Sequence, residues 1–262
     1  MIDILIVLIA AAIAMFCGWL LQRNTHNAGI VDVLWAVCMG ASALLYAAVS
    51  HGALIPRLLV AIMGSFWGFR LGMHLLHRVL NESEDGRYRY LREHWNGSQA
   101  KFLAFFMGQA LLTVVFSLPF YVAASNPANS VTIWTMLAVA VWATSLIGES
   151  VADVQLARFR SDHRNRGRTC RDGLWRYSRH PNYFFEWMHW FSYVFLAVGV
   201  AWPLWALSWL GPALMLVSLY WITGIPFTEA QALRSRGSDY RDYQRTTSPL
   251  IPWFPGNSEG KS

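Results

Sequence analysis

Charge is scarce in this sequence. Only 14% of its 262 residues are charged while 55% are apolar, about half the charged share of an average soluble domain, which excludes an ordinary water-soluble globule. Lysine is almost missing, occurring at Lys101 and Lys261 alone, so the basic character rests on arginine. The three cysteines, Cys17, Cys38 and Cys170, have no metal-ligand spacing, and two lie inside apolar runs; this excludes a disulfide scaffold and a cysteine metal centre. No GxGxxG follows a strand-like run, which excludes a soluble dinucleotide-binding domain. Internal repeats, low-complexity tracts and interdomain linkers are absent too, and the terminal GNSEGKS is one residue too tightly spaced for a phosphate loop.

What the chain does have is length in its apolar runs. Seven are long enough to cross a hydrocarbon core of roughly 30 Å: about 2–22, 29–50, 53–77, 100–124, 130–156, 182–200 and 203–224. The first carries Asp3 rather than cations at its start and no small-residue cleavage pattern follows, so it is expected to be an uncleaved span. The expected fold is an all-α integral membrane bundle of seven transmembrane helices in a single domain. Residues 1–125 would form a substrate chamber, 126–254 a cofactor-binding half and 255–262 a flexible tail.

Basic residues set the orientation, because cytoplasmic loops collect them. Arg23, the cluster from Arg78 to Lys101, the eight arginines after the fifth run, and Arg234, Arg236, Arg241 and Arg245 all fall on one side if the N-terminus is outside and the C-terminus cytoplasmic. The net charge of +6 therefore describes an inner membrane face and gives no support to nucleic-acid binding.

Ionisable groups inside spans are costly and are functional candidates. Asp32, in NAGIVDVLW, is either a helix-terminal carboxylate favoured by the N-terminal dipole or a working group. Trp67, Arg70, His74 and His77 share one helical face. Neither His74-x-x-His77 nor Glu186-x-x-His189 is repeated as a di-iron site requires, so no metal is expected. Glu149 and Asp153 share a face just before Arg158, Arg160, Arg164, Arg166, Arg168 and Arg171. Attraction to anionic lipid would need only charge. Arginine, with its planar fork and with acidic and aromatic groups interleaved, suits bidentate phosphate contacts instead. In GLWRYSRHPNYFFEW, residues 173–187, Pro181 can start a helix, Asn182 and Tyr183 offer hydrogen bonds there, and Trp175, Tyr177 and Tyr183 supply stacking faces.

GLWRYSRHPNYFFEW resembles the C-terminal signature of the steroid 5α-reductases, the sterol reductases and their bacterial relatives. TEAQALRSRGSDYRDYQRTTSPLIPWF resembles its sequel, and the similarity covers about 149–254. The resemblance implies a membrane reductase, in a bacterial inner membrane, that binds NADPH on its cytoplasmic side and reduces the Δ4 double bond of a 3-oxo-steroid or a similar lipid enone. Motif by motif it places cofactor contacts on Asp153, Arg160, Trp175, His180, Asn182, Tyr183, Glu186, Glu229 and Tyr243. Arg158 and Arg179 are added as phosphate partners because they flank the same loop. The acidic residue that polarises the ketone corresponds to Asp32. The family's His-Tyr-Phe-His-Arg reads here His74-Leu75-Leu76-His77-Arg78, so a leucine stands where the phenol is expected; His74 is taken as the second donor, with His77 as the alternative. The substrate is expected to be lipophilic and to enter from the membrane, and the protein to be a monomer. The isoprenylcysteine carboxyl methyltransferases share the RHPxY element and the tail, which makes an S-adenosylmethionine-dependent methyltransferase the rival reading.

Overall fold

The computed structural model describes residues 2–222 and 224–256. The tail expected over 255–262 lies, from 257 onward, outside the described residues. Among these residues the chain is all-helical, with six segments long and apolar enough to cross a membrane: Ile2–Thr25, Ile30–Val49, Leu54–Asn81, Gln99–Ala124, Ile133–Ser161 and Leu204–Arg236. The run expected as a span over 182–200 is two short helices, Pro181–His189 and Phe191–Leu196. Neither has the ~20 residues a crossing needs. The helical path ends just beyond, where Gly199 sits at φ +111°, a conformation strained for any side chain.

The chain forms two compact units, Met1–Met136 with Tyr193–Gly211, and Leu137–Ser192 with Pro212–Ser262. In the first, helix α1 (Ile2–Thr25) buries one stripe, Val7, Ala11, Met15, Gly18 and Gln22, at helical spacing, while Leu5, Ile9, Ile13 and Phe16 stay exposed as a lipid-facing row would. Helix α2 (Ile30–Val49) and α3 (Leu54–Asn81) approach so closely that a Cβ on Gly68 would fall 2.6 Å from the Gly40 nitrogen and 2.8 Å from the Ala36 carbonyl oxygen. Small residues at such crossings let backbones approach, which is how helices associate where lipid removes the hydrophobic drive. The short helix α4 (Gly86–His94) begins at Asp85, whose carboxylate accepts the Arg87 N–H at 2.9 Å as its N-cap. Helix α5 (Gln99–Ala124) completes the N-terminal set. Asn126 donates to the carbonyls of Leu196 and Val198 at 2.7 and 2.9 Å, tying Tyr193–Gly211 to this unit.

The second unit takes α6 (Ile133–Ser161) from Leu137 onward, then α7 (Pro181–His189). The chain enters the first unit at Tyr193, within α8 (Phe191–Leu196), and returns from Pro212 in α9 (Leu210–Val217), followed by α10 (Ile225–Arg236) and α11 (Ser238–Thr246). Gly148 of α6 gives the Phe185 ring of α7 its place, since a Cβ there would lie 2.3 Å from that ring. Trp187 donates its indole N–H to the Pro212 carbonyl at 3.0 Å, and Pro181 occupies the first turn of α7, where its missing N–H costs nothing.

Candidate functional site

Two centres emerge, each within one unit. In the first unit Asp32 lies in the opening turn of α2. Its Oδ1 accepts the Tyr88 hydroxyl at 2.7 Å and its Oδ2 faces the Arg87 guanidinium at 3.2 Å, both groups coming from α4. Arg87 in turn donates its Nε–H to Asp85 Oδ1 at 3.2 Å, and Arg78 reaches Asp85 Oδ2 at 3.5 Å. The Asp32 and Arg87 side chains are 32% and 31% exposed, so the pair opens onto a small cleft whose lining includes Asn27, Leu75, Ser83 and Tyr88.

Burial, and secondarily the Asp32 charge, push the Tyr88 phenol well above its usual range, so it holds its proton throughout physiological pH. Burial works to raise the Asp85 carboxyl, but Arg87, by charge and by two hydrogen bonds, outweighs it with help from Arg78 and holds it below the usual range. His74 and His77 are exposed, and neither lines this cleft. Leu75 lines the cleft, and the hydroxyl that meets Asp32 there comes from Tyr88 of α4. Sequence reasoning missed it because it sought the phenol on α3, although an acidic N-cap opening into Gly-Arg-Tyr was a legible sign of a short helix there.

In the second unit the loop before α7 is braced from several sides. Ser178 accepts the His180 N–H at 3.1 Å and donates to the Leu250 carbonyl at 2.7 Å. Arg179 takes its backbone N–H to the Ser248 carbonyl at 2.9 Å. Tyr243, buried, directs its hydroxyl at the carbonyls of Trp175 and Ser178, the latter at 3.0 Å. Trp175 donates its indole N–H to the Ala152 carbonyl at 2.9 Å. Tyr243 and Trp175 thus spend their polar atoms on backbone. Burial raises the Tyr243 phenol, which keeps it a donor to those carbonyls.

Glu229 of α10 is the hub of this centre. Its Oε1 meets Arg179 Nε at 2.8 Å and His180 Nε2 at 3.3 Å, and its Oε2 accepts Gln244 Nε2 at 2.6 Å. Burial keeps His180 below the ordinary imidazole range, and the Arg179 charge works the same way against the pull of Glu229; the ring is neutral at pH 7, with Nε2–H donating to Glu229. His180 stacks on Tyr183, ring centroids 5.2 Å apart and nearly parallel, and the Tyr183 and Thr228 hydroxyls are 3.1 Å apart. Asn182 donates to Asp153 at 3.3 Å, while Glu186 is half-buried on α7.

Beside this network opens a cleft of about 470 Å³, walled by the end of α6, the loop after it, and α10. Arg160, Arg166 and Arg168 line it from α6 and the loop after it, and Thr228, Gln231 and Arg236 from α10. Its one carboxylate, Asp162, is turned to Arg164 at 2.8 Å. A wall of guanidinium groups with its acid already paired is suited to a polyanion. Arg158 is exposed and does not line it. Thr228, Gln231, Arg236 and Gln244 escaped the sequence reading, since only the folding of α10 and α11 back toward the loop brings them here. Among the described residues no group of three or more His, Cys, Asp or Glu could hold a metal ion.

A family model described as "Protein of unknown function (DUF1295)" matches residues 18–247. No curated protein and no solved structure gives a significant match to the chain.

Proposed function

The chain belongs to the DUF1295 family, and from its two carboxylate centres we propose an integral membrane oxidoreductase that uses NADPH to reduce the carbon–carbon double bond of a lipid enone, such as a 3-oxo-Δ4-steroid. The observation that carries this reading is the arginine-walled cleft of the second unit. NADPH carries a pyrophosphate and a ribose phosphate, for which Arg160, Arg166, Arg168 and Arg236 provide cations. S-adenosylmethionine has no phosphate and would leave these arginines without a ligand. The polar groups around them suit the rest of the cofactor: the stacked His180–Tyr183 pair offers aromatic faces, and Asn182 with Asp153 offers a donor and an acceptor for a ribose.

When bound, NADPH would supply the hydride to the enone's β-carbon, and the proton that completes the reduction at the α-carbon would come from solvent. The protein's own part is to hold the cofactor and to meet the charge that develops on the enone oxygen. In the first unit that task falls to Tyr88, whose hydroxyl turns from Asp32 to the carbonyl oxygen, with Arg87 balancing the carboxylate left behind. The phenol ring keeps its place, so only its O–H has to turn toward the developing charge. Asp32 orients the phenol, and when protonated it is a donor itself. The apolar outer faces of α1 and α3 suit a substrate arriving from lipid, and the distribution of arginines favours a cytoplasmic cofactor side in a bacterial inner membrane.

Titrating the full-length protein in lipid nanodiscs with NADPH, NADH and S-adenosylmethionine tests the reading. Tight binding of NADPH with weaker NADH supports it. Binding of S-adenosylmethionine with none of NADPH replaces it by a methyltransferase.

A further inference from the structure

Helix α4 carries both groups that meet Asp32, yet it has nine residues and buries one side chain, Tyr88. A helix this short is unstable by itself, so its position is set by what holds its ends. The residue just before its N-cap makes that connection. Glu84 Oε1 accepts the backbone N–H of Ala28 at 2.8 Å and the Arg92 guanidinium at 2.7 Å, and its Oε2 accepts Arg92 Nε–H at 3.2 Å. Ala28 is fully buried in the turn that starts α2, four positions before Asp32. Arg92, in the last turn of α4, lies over the Phe102 ring of α5 at 4.8 Å and donates to Gln22 at 3.4 Å. Gln22, itself 0% exposed on α1, donates to Gln99 at 2.8 Å.

The Glu84 side chain is 13% exposed. A carboxylate this enclosed, with a bidentate arginine and a backbone donor, is held by charge-assisted bonds in one geometry. It grips the chain on both sides of Arg87 and Tyr88, before them at 84 and after them at 92, and ties both to the α1–α2 turn. Glu84 does not itself line the cleft.

We infer that Glu84 is a positioning residue, which through Arg92 and the Ala28 N–H sets where Tyr88 and Arg87 stand against Asp32. The catalytic part of this inference rests on the reductase reading; the geometric part does not. Loss of the clamp removes the tie from this segment to the Ala28 N–H and leaves Arg92 without its carboxylate, and displacement of a reacting group by about 1 Å costs roughly a hundredfold in rate.

The experiment places 3-fluorotyrosine at position 88 alone and records its fluorine resonance in the full-length protein in detergent, alongside turnover of NADPH with a 3-oxo-Δ4-steroid. Glu84→Ala is expected to move the resonance in the direction that Asp32→Asn moves it, and to lower kcat about tenfold or more with the KM for NADPH unchanged. Glu84→Gln, which keeps an acceptor for Ala28 but loses the charge facing Arg92, is expected to fall between Glu84→Ala and wild type. If Glu84→Ala gives no folded protein, Glu84→Gln carries the test by the same resonance. A wild-type resonance in the folded variant, whatever its melting temperature, overturns the positioning role. A displaced resonance in a protein that reduces no enone upholds the positioning role and removes the reaction instead.

Discussion

Tyr88 donates its hydroxyl to Asp32 at 2.7 Å although 56 positions separate them. The contact joins the first turn of α2 to the first turn of α4, and with Arg87 it gathers an acid, a phenol and a cation in one place. Its consequence for activity is direct. Tyr88→Phe removes the proposed donor and keeps the ring, so turnover of a lipid enone should fall about a hundred- to a thousandfold, the usual loss for one oxyanion donor. Asp32→Leu should match it, while Asp32→Asn keeps partial activity. Steady-state NADPH oxidation checks this, and full activity in Tyr88→Phe refutes the donor assignment.

The arginine-walled cleft makes a separable prediction. Charge-assisted contacts contribute about 1.5–3 kcal/mol each, so Arg160→Ala and Arg236→Ala should each weaken NADPH roughly tenfold or more, with a smaller effect on NADH. Arg158→Ala, which alters a residue outside the cleft, should bind both as wild type does. Fluorescence titration of the reduced nicotinamide measures all three. Equal losses in Arg158→Ala and Arg160→Ala would mean a diffuse basic surface in place of a pocket.

Acid should weaken the fold in two stages. His180 is held below its ordinary value of 6.5, so the unfolded chain binds the proton first; its contribution is complete above that value and is lost as pH falls toward the folded-state value. Asp85 is held below 3.8, and its contribution is lost lower still, as pH falls through its folded-state value. Melting temperatures in detergent between about pH 8 and pH 3 should therefore drop first below roughly 6.5 and again below roughly 3.8. His180→Gln should flatten the first drop and leave the second. A first drop that survives in His180→Gln assigns it to another group.

Packing supplies the last test. Gly68→Ala places a methyl group against the backbone of Gly40 and Ala36, and overpacking of this kind costs about 1–3 kcal/mol. Gly108→Ala meets nothing within 4 Å and gains helix propensity. The first should melt lower than wild type and the second no lower. Equal melting of Gly68→Ala and wild type would show that α2 and α3 can separate at little cost.

Hydropathy was a sufficient guide where a helix is long and uniformly apolar. Five of the runs read from the sequence correspond to α1, α2, α3, α5 and α6, and the last to the segment from Leu204. Over 182–200 it is not enough, because composition counts apolar residues and does not register a helix that ends at His189, restarts at Phe191 and stops again before Gly199. The ring and carboxylate residues of the RHPN element were legible as a group, and Glu229, His180, Arg179 and Tyr183 do gather. Their division of labour was not. Tyr243 and Trp175, expected at the cofactor, direct their N–H and O–H at backbone carbonyls, and where each side chain ends is not carried by a motif.

By itself the sequence determined the solvent, the helical class, the position of Asp32 in the opening turn of a span and the richness in arginine after α6. These follow from composition and local periodicity, which any stretch of chain carries within itself. Tertiary structure alone decided which phenol meets Asp32, which arginines face a cleft and which face outward, and that Glu84 joins α4 to the α1–α2 turn. Each of these is a meeting of side chains from distant segments. Such meetings are set by how helices pack and where short helices are pinned, and no local pattern encodes them.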